Sequence, residues 1–245
     1  MKAFVQIHTD GEFYNENAYL AWRAFRHFGY DVIKFKTADL YKQEITKETP
    51  CYAGVETTKS IFNKLGVKHK ELPSYPSELK NYFIRDIKIE TVEYVRKTVC
   101  SGKKIFAKPL DIHRKLFDGT LFETENDLIR LGGLDDNWPV YTCHPVRFAS
   151  EYRCFVYNKQ ILDVRKYKGD FIFTPSQTFL FNVIRSYENA PIAYCIDAGI
   201  IAEFSAYTSI VEITDAWSFG HYGLNMVHFG RMLIDRWSEI VSAAS

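Results

Sequence analysis

Apolar and polar positions near the start of the chain follow the pattern of a strand, then of a helix, then of a strand again. "AFVQI" and "DVIKF" are short β-rich runs on either side of a longer segment that ends at Gly29. Within that segment, helical spacing puts four apolar residues on one face: Ala18, Ala21, Trp22 and Phe25. Glycine is common just past the end of a helix. This order of elements predicts the opening of an α/β domain.

A second helical pattern and a proline-bearing stretch follow. "VETTKSIFNKLG" repeats apolar side chains at helical spacing and closes on Gly66. "ELPSYPSEL" then carries two prolines, which favour a connection over regular structure. We therefore expect the first domain to span residues 1–77 and a second domain to span residues 78–245.

The second part of the chain opens with a helix and a lysine-bearing strand. The apolar spacing of "KIETVEYVRKTVCSG" predicts a helix, and "KKIFAKP" predicts a short strand that carries Lys108. A polar loop that contains a glycine, "LDIHRKLFDGTLF", comes next. A strand, a lysine and a glycine-bearing loop in this order suit the binding of a phosphate group.

Further along, "SEYRCFVYNKQILDVRKY" predicts a hairpin that turns at residues 158 and 159, since β-rich runs flank a two-residue turn. With that register, Glu151 and Arg153 face the same side of the hairpin, and Lys166 on the return strand lies across from Glu151. Charges of both signs are therefore expected on one surface.

Two more strands and a helix complete the pattern. "AYCIDAGII" and "SIVEITDA" read as neighbouring strands, and the chain then finishes in an amphipathic helix. Its apolar face is formed by Phe229, Leu233, Trp237 and Ile240.

Length and charge limit the classes of function. The 245 residues carry 31 basic and 30 acidic side chains, so a net charge of +1 gives no overall attraction to nucleic acid or to an anionic membrane. The N-terminus is too polar for a signal peptide, and no apolar run approaches the roughly 20 residues that cross a bilayer. Five cysteines without a CxxC pair disfavour a disulfide framework and a zinc site. We expect a cytoplasmic globular protein with neither a nucleic-acid nor a membrane partner.

Several charged residues on the predicted strands are candidates for chemistry. Lys108 either reaches solvent or meets an anion. Arg153 either pairs with an acid such as Glu151 or holds a phosphate with its planar fork. Asp197 and Glu212 lie on strands that a short turn would pair, within reach of a shared cation such as Mg²⁺. For each of these two acids, the alternative is a loop cap or an ion pair with a surface lysine.

The order of these signals resembles the ATP-grasp superfamily and, within it, the R2K clade of phages and bacteria. That clade has a lysine strand, a "K.F.G" loop, "EYR.FV" and "VE.ND.WS.G.YG". This chain has "IFAKP", "KLFDG", "EYRCFV" and "VEITDAWSFGHYG". The resemblance covers roughly residues 78–240. It implies a fold of the α/β (α+β) class, in which a small α/β pre-ATP-grasp domain precedes an ATP-grasp domain whose two α+β lobes grip the nucleotide. The N-lobe would span about residues 78–142 and the C-lobe about residues 143–245.

The resemblance also implies which residues bind the nucleotide. Lys108 corresponds to the lysine that contacts the α and β phosphates, and Lys115 with Gly119 corresponds to the mobile loop over them. The hinge segment, whose backbone would contact the adenine edge, corresponds to Val140, Tyr141 and Cys143.

The remaining implied roles concern the reacting groups and the metal. Glu151 and Arg153 correspond to the ExR pair, in which the arginine faces the γ-phosphate or an acyl-phosphate. Asp197 and Glu212 correspond to the magnesium ligands. Asp215 joins them if the strand ends at that residue, which the following "WSFGHYG" leads us to expect.

The reaction that the resemblance implies is an ATP-dependent, Mg²⁺-dependent carboxylate–amine ligation through an acyl-phosphate. The carboxylate and the amine are unidentified, and a peptide or protein is among the candidate substrates. Thr214 stands where the clade has asparagine, and a hydroxyl is a weaker cation ligand than an amide carbonyl. Two other functions fit the same residues: a non-catalytic ATP-binding or interaction protein, and a kinase.

Overall fold

The computed structural model describes residues 1–110, 117–201 and 207–243, which form two compact units. The main unit joins residues 1–82 to residues 148–245. The inserted unit spans residues 83–147. The expected division at residue 77 into a pre-ATP-grasp domain and an ATP-grasp domain stays a prediction.

The start of the main unit is a three-stranded parallel sheet in the order β2-β1-β3, flanked by helices. Its elements are β1 (Lys2–Ile7), α1 (Glu16–His27), β2 (Asp31–Lys36), β3 (Cys51–Tyr52) and α2 (Val55–Lys64). Asn15 caps α1, because its side chain accepts a hydrogen bond from the backbone N–H of Ala18 at 2.8 Å. Gly29, with φ of +81°, lies two residues beyond the last residue of α1. The predicted strand, helix and strand are confirmed.

The inserted unit contains a four-stranded antiparallel sheet in the order β4-β7-β5-β6. Its elements are β4 (Lys88–Thr91), α3 (Val92–Cys100), β5 (Ile105–Pro109), β6 (Thr120–Phe122) and β7 (Pro139–Cys143). Three valines of α3 belong to the same buried cluster as Ala107 and Val140, so the helix covers one face of the sheet. Lys108 alternates to the other face of β5.

The rest of the main unit is built on a four-stranded antiparallel sheet in the order β11-β10-β8-β9, which we call the C-terminal sheet. Its elements are β8 (Ser150–Tyr157), β9 (Gln160–Gly169), α4 (Gln177–Ser186), β10 (Ala193–Ile201), β11 (Tyr207–Asp215) and α5 (Met226–Ser242). No helix among the described residues combines the length and apolar character that crossing a bilayer requires.

The hairpin of β8 and β9 turns where the sequence predicts it. Both turn residues have positive φ, at 46° and 60°, as a two-residue hairpin turn requires. The predicted pairing of Lys166 with Glu151 is wrong, because the register shifts by one residue twice, between Phe155 and Val156 and again between Glu151 and Tyr152. Lys166 lies opposite Tyr152, and Lys168 lies opposite Glu151.

The two segments of the main unit share one core. Phe25 of α1 and Phe229 of α5 belong to the same cluster of fully buried side chains as Phe155 of β8. The stretch that we expected to be a connection is also packed, since the carbonyl of Ser74 accepts a hydrogen bond from the N–H of Ile213 at 2.9 Å. Residues 1–82 are therefore part of the same hydrophobic unit as the C-terminal sheet.

Gly230 allows α1 and α5 to approach closely. A Cβ atom at this position would lie 2.6 Å from the Cβ of Ala24 and 3.0 Å from the ring of Phe28. Helix propensity alone favours alanine over glycine by about 1 kcal/mol. The close contact is expected to outweigh that gain, since overpacking a core costs about 1–3 kcal/mol.

We expect Gly230→Ala to lower the free energy of unfolding by about 1 kcal/mol after the propensity gain. Urea denaturation measures this change. Ser238→Ala is the control, because Ser238 is exposed in the same helix, and its replacement changes only propensity and the local hydrogen bond of its hydroxyl to the carbonyl of Ile234. A stabilised Gly230→Ala protein would show that the two helices are not in this contact.

Candidate functional site

The C-terminal sheet brings four of the predicted site residues onto one face. Asp197 lies directly opposite Arg153 on β8 and opposite Glu212 on β11. Residues opposite each other in antiparallel strands point to the same face, as do residues two apart in one strand, so Glu151 lies on this face as well. Glu212, Asp197 and Arg153 thus form one row across three strands.

Arg153 and Asp197 form a buried bidentate ion pair. The Arg153 Nε and Nη2 atoms lie 2.7 Å and 2.6 Å from the two carboxylate oxygens of Asp197. The two residues are only 6% and 2% exposed, respectively. Burial on its own lowers the pKa of Arg153, but the charge and hydrogen bonds of Asp197 outweigh it and the pKa is raised. The guanidinium therefore stays charged and fixed in orientation.

Glu151 is held by two donors from β9. Its carboxylate accepts hydrogen bonds from Lys168 Nζ at 2.5 Å and from the Tyr167 hydroxyl at 3.0 Å. Burial, together with the negative charges of Asp197 and Glu151, raises the pKa of Tyr167. The phenol therefore keeps its proton and acts as a donor.

Tyr222 lies over Arg153 and was not predicted from the sequence. The Arg153 guanidinium carbon is 4.7 Å from the centre of the Tyr222 ring, which stacks on Tyr167 with centroids 5.1 Å apart. Tyr222 has φ of +40°, a conformation that is uncommon for a side-chain-bearing residue. The clade motif ends in "YG" at this position, and that was the available signal.

The segment that carries Tyr222 is anchored at several points. The N–H of His221 donates to the side chain of Asn17 at 2.9 Å, and His221 Nδ1 accepts from the N–H of Gly223 at 2.9 Å. The N–H of Leu224 donates to the carbonyl of His221 at 2.7 Å. These contacts hold the strained backbone in place, so the ring of Tyr222 restricts where the Arg153 guanidinium can point.

We expect Tyr222→Leu to move the Arg153 Nε–H resonance downfield by NMR, because the aromatic ring above the guanidinium is removed. Tyr222→Phe keeps the ring and should leave the resonance close to its wild-type position. The Nε–H is observable since it is buried and bonded to Asp197. An identical resonance in the leucine and phenylalanine variants would contradict the contact.

The oxygen donors of the row fit a magnesium ion. The carboxylates of Asp197 and Glu212 lie directly opposite each other, an arrangement that a shared cation stabilises, and Arg153 pairs with Asp197. Thr214 lies two residues after Glu212 on the same face and adds a hydroxyl. Among the described residues no group of three His, Cys, Asp or Glu side chains is arranged to hold a metal. Two carboxylates and one hydroxyl fit an ion whose other ligands come from phosphates and water.

Asp215 does not belong to this row. The strand ends at Asp215, as expected, but the residue faces away from Glu212. Its two oxygens lie 2.7 Å and 2.6 Å from the Nε and Nη2 atoms of Arg236 in α5, and one of them accepts from the N–H of Trp217. The predicted role of Asp215 as a metal ligand is corrected to a buried structural ion pair.

The inserted unit brings Lys108 and Gly119 together. Lys108 lies opposite Tyr141 in the sheet and shares its face. A Cβ atom on Gly119 would lie 2.9 Å from the ring of Phe106 and 3.9 Å from the Cβ of Lys108. The glycine thus lets the chain pass close over the lysine face. Lys115 lies outside the described residues.

The backbone role predicted for Val140 and Tyr141 does not agree with their position. β7 pairs with β4 on one side and with β5 on the other, so the two ladders use the backbone groups of both residues. Those groups cannot also bind an adenine edge. Cys143 ends the strand, and burial raises the pKa of its thiol although Arg85 acts in the opposite direction. Residues 144–147, which follow, are in neither a helix nor a strand.

Comparison with solved structures defines the fold. The D-cycloserine synthetase DcsG superposes with a TM-score of 0.60 at 9% identity, over 96% of this chain and 100% of that chain. The D-alanine–D-alanine ligase from Bacillus anthracis gives 0.60 at 9% identity over 100% of both chains. The macrocyclase MdnC from Microcystis aeruginosa, bound with precursor peptide MdnA, gives 0.50 at 14% identity over 99% of this chain and 100% of that chain. The fold is that of an ATP-grasp protein.

The sequence assigns the family. Residues 82–232 match the ATP-grasp domain, R2K clade family 2, and the chain belongs to this family. A comparison with curated proteins finds no match.

Proposed function

We propose that this protein is an ATP-dependent carboxylate–amine ligase that forms its product through an acyl-phosphate. The observation that carries the proposal is the row of Glu212, Asp197 and Arg153 on one face of the C-terminal sheet. It places a fixed cation beside oxygen donors suited to Mg²⁺. Membership of the ATP-grasp family supports the use of ATP.

In the proposed reaction, a substrate carboxylate oxygen bonds to the γ-phosphorus of ATP and the bond to the β-phosphate oxygen breaks, which releases ADP. An amine then attacks the acyl carbon, phosphate leaves with the electrons of the broken C–O bond, and the amine loses a proton. Arg153 would stabilise the charge on the transferred phosphoryl group. Asp197 would hold the guanidinium in the required orientation.

When bound, Mg²⁺ would neutralise charge on the phosphates. Glu212, Asp197 and Thr214 are the residues that we propose to hold it. Lys108, whose stem packs on the sheet of the inserted unit, is the proposed contact of the α and β phosphates, with Gly119 over the same face. We propose Lys115 for the loop over the phosphates. Since Val140 and Tyr141 have their backbone groups paired, we assign the hinge to residues 144–147.

We propose that the acid or the amine belongs to a peptide. Two of the similar structures support a peptide substrate, because the ligase PsnB was solved with a minimal precursor and MdnC with precursor peptide MdnA. A small amino acid remains the competing class, since a D-alanine–D-alanine ligase has the same fold. We expect the reaction to take place in the cytoplasm, where ATP is available.

Hydroxylamine tests the reaction class without knowledge of the amine. It attacks acyl-phosphates directly, so a ligase supplied with ATP, Mg²⁺ and its carboxylate substrate should release ADP and form a hydroxamate. A panel of amino acids and peptides supplies the carboxylates, and product mass identifies the one that reacts. Arg153→Lys should lower the rate by about 10²–10³-fold, the typical effect of losing one oriented contact to the transition state.

The same assay separates the two other functions. A kinase would add a phosphate to a hydroxyl, and the product mass would show a phosphorylated substrate without a hydroxamate. A non-catalytic ATP-binding protein would bind Mg²⁺·ATP and yield neither product over the whole panel. Either result would overturn the ligase assignment.

A further inference from the structure

Six residues near the start of the main unit form a surface of interleaved rings and cations, which we call the α1 patch. Its members are Phe13, Tyr19, Trp22, Arg23, Arg26 and Lys34. The three rings contact one another: Phe13 lies 5.2 Å from Tyr19 and 5.6 Å from Trp22, and Tyr19 stacks on Trp22 at 5.9 Å. This ring cluster forms the floor of the patch.

The cations lie on the faces of these rings. Arg26 is 4.8 Å from the centre of Trp22, and Lys34 is 4.6 Å from Phe13 and 5.5 Å from Trp22. Arg23 is 5.8 Å from the centre of Tyr19. Cation–π contacts of significant energy occur about once in 70–80 residues of protein structure. Four cation–ring contacts lie between residues 13 and 34, within 4.6–5.8 Å of the ring centres.

The positive charge of the patch is exposed and is not compensated locally. Arg23, Arg26 and Lys34 are all exposed. Within the described part of the chain, no carboxylate forms an ion pair with any of the three. The patch thus presents three positive charges, oriented by an aromatic floor, on a protein with a net charge of only +1.

This arrangement favours carboxylates over nucleic-acid bases. Single-stranded nucleic acid binds by stacking its bases on aromatic faces. The stacking of Trp22 on Tyr19 and the cations over both rings leave less ring surface for a base to stack on. Carboxylates, in contrast, can accept hydrogen bonds directly from the guanidinium and ammonium groups. We propose that the α1 patch docks an acidic peptide segment.

The helix that carries the patch also contacts the segment beside the row of Arg153, Asp197 and Glu212. Asn17 of α1 accepts the hydrogen bond from the N–H of His221, next to Tyr222, and Tyr222 lies over Arg153. From Asn17 to Arg26 the helix rises about 13 Å. At about 100° per residue, Arg26 lies on the opposite side of α1 from Asn17, so a peptide on the patch reaches the segment that carries Tyr222 only by passing the N-terminal end of the helix. That this peptide is a substrate rests on the proposed ligase function, whereas its binding does not.

Fluorescence anisotropy with the full chain tests the docking. The probe is a fluorescein-labelled, glutamate-rich peptide of about six residues, long enough to span the helix at 3.3 Å per residue. The same peptide with glutamine in place of glutamate is the neutral control. We expect the acidic peptide to bind, and to bind more weakly as salt concentration rises, because exposed charges are screened.

Two charge variants distinguish the effect of the patch on peptide binding from the effect of the protein's net charge. One carries Arg23→Gln, Arg26→Gln and Lys34→Gln, and the control replaces three other exposed cations of the main unit: Lys68→Gln, Lys70→Gln and Arg185→Gln. Each removes three positive charges and takes the net charge from +1 to −2. The patch variant should bind the acidic peptide about tenfold more weakly, as expected for three exposed ion pairs, and the control should bind close to wild type.

A third variant tests the aromatic floor without a change in charge. Trp22→Leu keeps all three cations but removes the ring under Arg26 and Lys34, so it should weaken binding several-fold. Equal weakening in the patch and control charge variants would overturn the proposal. Tighter binding of a fluorescein-labelled oligo-dT strand than of the acidic peptide would also overturn it.

Thermal unfolding with Mg²⁺ and ATP on the same samples distinguishes this proposal from the proposed function. If the acidic peptide does not bind while nucleotide still stabilises the protein, the docking surface is wrong and the ligase assignment stands. If the peptide binds but nucleotide has no effect, the docking surface stands and its role in substrate recognition does not.

Discussion

Arg153→Met is expected to lower the free energy of unfolding by about 3–5 kcal/mol, because it removes the guanidinium that pairs bidentately with the buried carboxylate of Asp197. Asp197 is 2% exposed, so water cannot replace the two hydrogen bonds that the guanidinium donates. Urea denaturation of the wild-type and variant proteins measures the change.

The double variant Arg153→Met, Asp197→Leu is the matched control. Replacing both partners of a buried ion pair by apolar side chains removes the orphaned charge, so the double variant should recover much of the lost stability. If Arg153→Met costs less than about 1 kcal/mol, the pair is solvated and the row is not arranged as described.

Arg236→Met is expected to cost a similar 3–5 kcal/mol, since it removes the bidentate guanidinium from the buried carboxylate of Asp215 and leaves only the N–H of Trp217 at 3.3 Å and His69 Nε2 at 4.0 Å beside it. Arg236 also bonds Glu239 at 2.8 Å, and Glu239 accepts from the N–H of Ile192, so the loss extends along α5. The measurement is again urea denaturation, with Arg231→Met as the control because Arg231 is an exposed arginine of the same helix.

The two arginine variants differ in what they do to nucleotide binding. Asp215 lies on the opposite face of β11 from Glu212, so folded Arg236→Met should still be stabilised by Mg²⁺ and ATP. Arg153→Met should bind nucleotide less well. A loss of nucleotide stabilisation in folded Arg236→Met would return Asp215 to the list of metal ligands.

Local patterns predicted the elements of the main unit well but not how its segments join. The β8–β9 hairpin follows from a two-residue turn between β-rich runs, which is local information. The position of Lys166 was wrong because the two one-residue register shifts between β8 and β9 leave no mark in the alternation of apolar and polar residues. The crossing of α1 and α5 depends on Gly230, and a lone glycine in a helical pattern does not reveal which helix will contact it.

The site was predictable where neighbouring strands carry it. Asp197 and Glu212 lie on consecutive strands, and their pairing follows from a short connection. The ion pair of Arg153 with Asp197 joins residues 44 positions apart in the chain, and the sequence did not specify that β8 and β10 are neighbours. Tyr222 was missed because its position depends on a positive φ that is stabilised by hydrogen bonds of His221.

The hinge prediction failed for a different physical reason. Val140 and Tyr141 are close in sequence to the end of the inserted unit at residue 147, but they lie in an inner strand of its four-stranded sheet. A resemblance in residue order cannot show which backbone groups are already paired.

Thermal unfolding with ATP and Mg²⁺ tests the central claim most directly, on the wild type, Glu212→Gln and the control Glu188→Gln, whose carboxylate is exposed. A ligand that binds only the folded state at a hundredfold excess over its Kd adds about 2.7 kcal/mol of stability. We predict a magnesium-dependent rise in Tm for the wild type and for Glu188→Gln, and its loss in Glu212→Gln. No rise in the wild type, or an equal rise in all three proteins, would contradict the assignment of this row as the nucleotide and magnesium site.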